Sequence, residues 1–485
     1  MGEIIPHWLE KQAELKPDQQ AIRWPGGRSM TFYELRCASR AVAKSLKSYG
    51  VKKGTHIAML ADNQEEVPVF VHAASYAGAV LVLLNTRLTA PELAFQLEDG
   101  DVEYLFTSET LKEKGLQAVE EAQKDMLLYT LETLPRSTDD GAVHDEFDVE
   151  DVYTMMYTSG TTGKPKAVMH TYGNHWHSAI ASGLNLGVHA DDQWLLCLPI
   201  FHVGGFSILM KSVVYGMTVE CLSKFDEKVV QEAIVDRGIT HVSVVTLMLR
   251  KLLDLIGDGS YPEHFRCMLL GGGPVPEHLL QASASRGIPV FQTYGMTETS
   301  SQIATLDPSS ALRKLGSAGK ALSTARLKVD AERETEVGEI LVKGPMVAKG
   351  YYNRPPLEEG YFGTGDLGYK DEDGYLYVVD RLKDVIISGG ENVYPAEVES
   401  VLSSSDMVLE AGVTGISDDK WGEVPAAFIV LKEGCVWDAE AMEEFVASRL
   451  AKYKQPARYY IVEELPRNAS NKLLRRQLLS LVGEE

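Results

Sequence analysis

Ten consecutive residues, Tyr157-Thr158-Ser159-Gly160-Thr161-Thr162-Gly163-Lys164-Pro165-Lys166, carry the types needed to hold an anion. Thr158, Ser159, Thr161 and Thr162 offer hydroxyls, and Lys164 and Lys166 add charge. Gly160 and Gly163 allow a tight turn that brings bare backbone N–H groups close to a ligand. The simplest ligand to match is a polyphosphate such as the tail of ATP. The stretch is not the G-x-x-x-x-G-K-[ST] loop, because Thr158 stands where its first Gly belongs and Pro165 follows the lysine. Taken alone, the decamer also fits an ordinary Gly- and Thr-rich surface loop.

The elements around it narrow that choice. Val152 to Tyr157 reads as a short strand leading into the stretch. Ahead of it, Thr31 and Glu34 form a capping box that opens a helix ending near Gly50. His56 to Leu60 is a strand, Thr89 to Leu97 a helix and Val102 to Thr107 a strand. Ser137 to Asp151 is acidic and reads as a solvated connection. Beyond the decamer, His170 to Gly187 is an expected helix. Strands at Trp194 to Ile200, Val242 to Val245, Cys267 to Leu270 and Pro289 to Gln292 alternate with helices. Alternation of this kind implies an α/β domain with a largely parallel sheet. Phe201 to Gly205, Gly271 to Pro274 and Thr293 to Glu298 each follow an expected strand. Ligands of open parallel sheets bind beyond the carboxyl ends of strands, so these segments are expected to line one cleft with the decamer. After Thr324 the chain turns to short β-prone pieces, with a hairpin turn at Asp371-Glu372-Asp373-Gly374. From about Asp384 a β–α–β–β–α unit of about 100 residues closes the chain.

A chain of 485 residues implies more than one domain. The formal charge of −22 argues against nucleic acid and anionic membranes as partners. Cys37, Cys197, Cys221, Cys267 and Cys435 are scattered, which fits free thiols in a reducing cytoplasm. The N-terminus, Met1-Gly2-Glu3-Ile4, lacks the pattern of a signal peptide. The uncharged run Val67 to Leu84 reads as a buried helix feeding a buried strand, without stable membrane insertion.

The decamer resembles the phosphate loop of the acyl-adenylate-forming enzymes. Tyr294-Gly295-Met296-Thr297-Glu298, Thr364-Gly365-Asp366, Asp380-Arg381-Leu382-Lys383-Asp384, Gly389-Gly390-Glu391-Asn392 and Lys472 resemble that family's other motifs, in order and over nearly the whole chain. The resemblance implies a large N-terminal domain of layered α/β subdomains plus a β-rich subdomain, residues 1–382. A small mobile α+β lid, residues 383–485, follows a hinge at Lys383. The sequence departs from the family at Ala167 and at Asn471, where most members have Gly.

The family's reaction has two halves. A carboxylate attacks the α-phosphate of ATP to give an acyl-adenylate and pyrophosphate, and coenzyme A then displaces AMP. The first half joins two anions, so it needs positive charge and alignment more than a base. The resemblance makes Lys472 the cation bridging carboxylate and phosphate. It gives Mg2+ to Glu298 with Thr158, and phosphate to Thr297 and the decamer. Tyr294, with Gly295, Met296, Gly272 and Gly273, falls to the adenine, and Asp366 with Arg381 to the ribose. Gly389 and Gly390 would face coenzyme A. Phe201 and His202 fall at the acyl pocket, with His202 counted among the catalytic residues.

Leu198 to His202, Gly271 to Pro274, Tyr294 to Gln302, Leu315 to Lys320 and Leu465 to Lys472 resemble the members that join 2-succinylbenzoate to coenzyme A in menaquinone synthesis. That substrate has two carboxylates, and His202, Thr299, Ser301 and Ser317, beside Gly319, are candidates for holding the one that does not react. Ligation of another aromatic or fatty acid, loading of a carrier protein, and an ATP-binding relic or sensor are the rival readings. A homo-oligomer is an expectation from similar enzymes.

Overall fold

The structure, a computed structural model, describes residues 2–138, 141–158, 165–273, 275–358, 360–389, 391–418, 420–467 and 473–482. Packing divides the chain into two compact units. One is Met1–Leu327 with Val342–Phe362, and the other is Lys328–Leu341 with Gly363–Glu485. The class is the expected α/β, with a large N-terminal and a small C-terminal part. The expected division into domains 1–382 and 383–485, with its hinge at Lys383, stands as a proposal.

The first unit holds a 7-stranded sheet in the order Gly350–Tyr351, Lys166–Thr171, Val152–Thr158, Val80–Leu83, His56–Leu60, Tyr104–Thr107, Leu127–Thr130. From Val152–Thr158 outward the neighbours run parallel. Parallel strands are covered on both faces, which is why Val80–Leu83 is apolar and buried at every position. The uncharged run resolves as expected. Helix Glu66–Ala77 is buried from Val67 to Ala77 and feeds that strand. Among the described residues no helix is long and apolar enough to cross a membrane.

A second sheet of this unit runs Ser317–Ala321, Ser301–Leu306, Val290–Met296, Cys267–Leu270, His241–Val244, Gln193–Leu196, Thr218–Cys221, Gln20–Arg23, Ser29–Thr31. Its middle, from Val290–Met296 to Gln20–Arg23, is parallel. The capping box at Thr31 is present. Thr31 Oγ1 accepts from Glu34 N at 3.1 Å, and Glu34 Oε2 accepts from Thr31 N at 2.8 Å.

Four local expectations are corrected. His170 closes the strand Lys166–Thr171, and the helix is Tyr172–Leu186, because Thr171 and Asn174 cap it there. The strand expected to reach Ile200 ends at Leu196, where Asn63 takes over the backbone beyond it. The strand expected to stop at Gln292 continues to Met296, since Ser301–Leu306 folds back to pair with it. The acidic connection contains a strand, Glu146–Asp148, paired with Ile4–Pro6. Its alternation hid among the acids. Phe147 is 6% exposed and stacks on Tyr172 at 4.0 Å, while its acidic neighbours face outward.

In the second unit Phe362–Lys370 pairs with Leu376–Arg381 through the expected turn, where Asp371 Oδ1 accepts from Asp373 N and Tyr375 N. The C-terminal part is Ile386–Ser388, Glu391–Val393, helix Pro395–Ser403, Val408–Asp418, Gly422–Leu431, helix Ala439–Ala447 and Arg458–Ile461. It has a short hairpin and a last strand beyond the β–α–β–β–α reading. Cys197, Cys221 and Cys267 are buried, which pushes their thiols upward, Cys197 to about 12. Cys37 is exposed, and Cys435 is partly exposed.

Candidate active site

The expected phosphate loop falls in the chain between two strands that pair as a hairpin. Val152–Thr158 and Lys166–Thr171 pair antiparallel, with Thr158 opposite Lys166. Ser159, Gly160, Thr161, Thr162, Gly163 and Lys164 lie outside the described residues. Ala167 sits opposite Tyr157 in the ladder with its methyl fully buried, so this position needs no glycine.

Glu298 is brought beside that hairpin. Its side chain is 8% exposed, and its Oε1 accepts from the Tyr351 hydroxyl at 3.0 Å. The Tyr351 ring carries the Lys166 ammonium 5.3 Å from its centroid. Burial and the neighbouring Glu298 push the Tyr351 phenol upward, so it remains a donor. One tyrosine thus joins the acid and the lysine. Nothing in the sequence marked Tyr351, because Gly350–Tyr351 reaches the hairpin only by pairing with Val168 and Met169.

The turn from Thr297 to Ser301 is strained. Ser300 has φ 56° and Ser301 φ 140°, conformations rare for residues with a Cβ. Three elements hold its carbonyls. His170 Nε2 contacts Thr297 O at 2.7 Å, Ala348 N donates to Glu298 O at 2.8 Å, and Ser178 Oγ donates to Ser300 O at 3.0 Å. A carbonyl only accepts, so His170 carries its proton on Nε2. Its Nδ1 then accepts from Thr154 Oγ1 at 3.2 Å, and Thr154 Oγ1 accepts from His175 Nε2 at 2.9 Å. Burial pushes His170 down to about 4 and His175 well below its ordinary value, so both rings are neutral.

Gly295 permits this turn. A Cβ on it would stand 2.0 Å from Ser301 O. Thr299 was a candidate for the second carboxylate, but the structure gives it other work. It is fully buried, its hydroxyl accepts from Met296 N at 3.0 Å, and its proton goes to the carbonyl of Met296 or Ser301. Tyr294 and Met296 are half-buried in the strand, and Ser301 begins the next one. Gly272 and Gly273 lie just beyond Cys267–Leu270, exposed.

On the acyl side, Phe201 and His202 meet edge to face at 4.7 Å at the start of helix Val203–Tyr215. Asn63 fixes the approach to them. Its Nδ2 donates to Leu198 O at 2.8 Å, and its Oδ1 accepts from Ile200 N at 3.0 Å. Further along, at the amino-terminal end of the strands, the same helix carries Lys211, 1% exposed, with its ammonium 4.5 Å from the ring centroid of Trp194. Burial pushes Lys211 down to about 8. The signal in the sequence was a lone cation inside an otherwise apolar helix. Ser317 is buried and accepts from Gly319 N at 2.9 Å, and Gly319 has no room for a side chain, since a Cβ would meet the Thr305 carbonyl at 2.0 Å.

In the second unit Asp366 and Arg381 face each other across the hairpin and pair at 2.7 Å, with Asp366 N held by Thr364 Oγ1. Lys383 lies in the turn Leu382–Asp384. Gly389 N donates to Trp421 O at 2.8 Å. Gly390 and Lys472 lie outside the described residues. Arg475, three positions beyond Lys472, is held by Glu399 at 2.7 Å and Asp384 at 3.0 Å, with Asp380 at 3.8 Å.

These residues suit Mg2+. Among the described residues no group of three or more metal-binding side chains forms a cage. Mg2+ needs no such cage, since it takes one or two carboxylates along with phosphate oxygens. Tyr351 occupies only one oxygen of Glu298, and among the described residues the other carries no hydrogen bond. That leaves a hard, fixed oxygen for the ion beside the hairpin.

Residues 9–352 match the family described as AMP-binding enzyme, and 397–472 the AMP-binding enzyme C-terminal domain. The chain is 50% identical over 485 residues to 2-succinylbenzoate–CoA ligase of Oceanobacillus iheyensis, covering 99% of this chain and 100% of that one. It is 48% identical over 494 residues to 2-succinylbenzoate–CoA ligase of Bacillus cereus, with both covered fully at 100%. It resembles the solved o-succinylbenzoate CoA synthetase of Bacillus subtilis in complex with the acyl-adenylate intermediate OSB-AMP, with TM-score 0.93, 44% identity and 98% of each chain covered. The same enzyme with ATP and magnesium ion also matches at TM-score 0.93 and 44% identity, over 98% of this chain and 100% of that one.

Proposed function

The chain belongs to the AMP-binding enzyme family, and from that premise we propose that it is an ATP-dependent ligase converting 2-succinylbenzoate to 2-succinylbenzoyl-CoA. The reaction passes through an acyl-adenylate and releases pyrophosphate and AMP, as a step of menaquinone synthesis. The observation that carries this reading is the end-to-end similarity to 2-succinylbenzoate–CoA ligases.

The chain's own residues divide the work. The hairpin tip and Lys166 hold the phosphates, and Lys472 brings positive charge to the point where carboxylate meets α-phosphate. Glu298, oriented by Tyr351, would hold Mg2+ with Thr158, and the bound ion supplies charge neutralisation at the phosphates. Asp366, oriented by Arg381, receives the ribose diol. Phe201 and His202 form the mouth of the acyl pocket. For the non-reacting carboxylate the candidates are His202, Ser301 and Ser317. Rotation at Lys383 exchanges Lys472 for Gly389 and Gly390, which face coenzyme A in the second half. The same reading gives a cytoplasmic enzyme with small-molecule partners, without nucleic acid or stable membrane insertion.

The test is mass-spectrometric product analysis with ATP, Mg2+, coenzyme A and a panel of 2-succinylbenzoate, coumarate, benzoate and fatty acids. The expected result is a thioester formed from 2-succinylbenzoate far faster than from the rest. A preferred thioester of another acid would overturn the substrate, and adenylate without thioester would overturn the acceptor.

A further inference from the structure

We propose that His170 is a positioning residue for adenylation: its Nε2–H, donated to the carbonyl of Thr297, fixes the turn that carries Glu298 against the strand leaving the phosphate hairpin. The proposal rests on reading Thr297 and Glu298 as part of the ATP site.

Two elements meet at this bond. His170 lies in Lys166–Thr171, which pairs with Val152–Thr158, so it belongs to the strand pair that flanks the phosphate loop in the chain. Thr297 opens the turn that ends in two residues with positive φ. A turn in that conformation persists only if its surroundings over-determine it. Within the turn, Ser300 N donates to Thr297 O at 3.0 Å; the two other bonds to its carbonyls from outside the turn come from Ala348 and Ser178, on a following segment and on helix Tyr172–Leu186. His170 alone among these three belongs to the hairpin's own strand. Its contact, at 2.7 Å, sits directly before Glu298 in the chain. The ring cannot rotate freely, because Thr154 holds Nδ1 and His175 holds Thr154. The order His175, Thr154, His170, Thr297 is one buried run of hydrogen bonds ending on the active turn. Its effect is to set the position of the acid relative to the strand pair Val152–Thr158 and Lys166–Thr171, and positioning catalysis requires such placement to a fraction of an ångström.

The experiment measures ATP–pyrophosphate exchange with 2-succinylbenzoate across a Mg2+ titration for wild type, His170→Leu, His170→Gln and Thr154→Val. Leu fills the space without donating, while the Gln amide donates from about the place of Nε2. His170→Leu is expected to lose about tenfold in exchange turnover, the worth of one buried hydrogen bond. It should need several-fold more Mg2+, with KM for the acid unchanged. His170→Gln is expected within about twofold of wild type, and Thr154→Val to show a smaller loss in the same direction. A purely structural histidine would shift melting temperature and leave the Mg2+ requirement alone. Wild-type turnover and Mg2+ requirement in His170→Leu would overturn the proposal, as would His170→Gln equally impaired while melting like wild type. If His170→Leu does not fold, the Gln and Val variants decide by the same criteria. Absence of exchange in wild type with every acid would remove the ATP-site reading and this inference with it, which separates the two failures.

Discussion

Lys211 is a charge that folding alone disfavours. Its ammonium drops from the ordinary 10.5 to about 8 because burial strips its water. Between those values the unfolded chain binds the proton that the folded chain has lost, so this residue makes stability rise with pH from about 8 to about 10.5. Lys211→Met should raise the melting temperature, most at pH 7, and remove this rise of stability with pH. Melting scans from pH 7 to 10 check both, and a variant no more stable than wild type would exclude a burial cost at this residue. At Glu298, replacement by Gln keeps an oxygen for Tyr351 and removes the charge. Adenylation should fall on the order of 100-fold with little change in melting temperature, and a residual rate near wild type would exclude this acid as the metal's ligand. Glu298 was legible in the sequence because its motif is local. Lys211, Asn63 and Tyr351 were not, since each acts on a partner distant in the chain.

Elements were legible where one signal suffices. The Thr31 capping box, the Asp371 turn and the fully apolar helix Glu66–Ala77 each carry their instruction within a few residues. The strand Val290–Met296 was not, because its last residues are strand only by virtue of Ser301–Leu306 returning to pair with them. On its other edge Ser301–Leu306 pairs with Ser317–Ala321, too closely at Gly319 for a side chain. Gly319→Ala would put a Cβ 2.0 Å from the Thr305 carbonyl on a backbone already at φ 86°. The variant should lose roughly 3 kcal/mol or more of stability, read by chemical denaturation, since backbone atoms cannot yield as a flexible side chain can. A stable variant would mean that the two strands can part without cost.

Across the molecule, the alternation of strands and helices made the class legible, but the order of strands depends on contacts between segments far apart in the chain. The second unit carries a charge cluster that only the folded chain assembles. Arg475 serves Glu399, Asp384 and Asp380, and burial raises the Glu399 and Asp380 carboxyls even with that guanidinium beside them. Arg475→Met should cost this unit about 3–5 kcal/mol, by leaving buried carboxylates unpaired. For acids raised on folding, the cost is present above the folded pKa and is relieved by protonation as pH falls through it. The deficit should therefore shrink between pH 7 and about 5. Thermal scans at the two values measure it, and a deficit independent of pH would point to lost packing instead.

The distribution of thiols makes the wild-type chain its own reporter. With Cys197, Cys221 and Cys267 sealed in the core and held as thiols, dye chemistry is left with Cys37 in one unit and the slower Cys435 in the other. A donor fluorophore attached first and an acceptor second would give an unmutated enzyme whose energy transfer follows the separation of the two units. A change in transfer when coenzyme A follows ATP and acid would record a swing about Lys383, and a constant signal through turnover would count against such a swing.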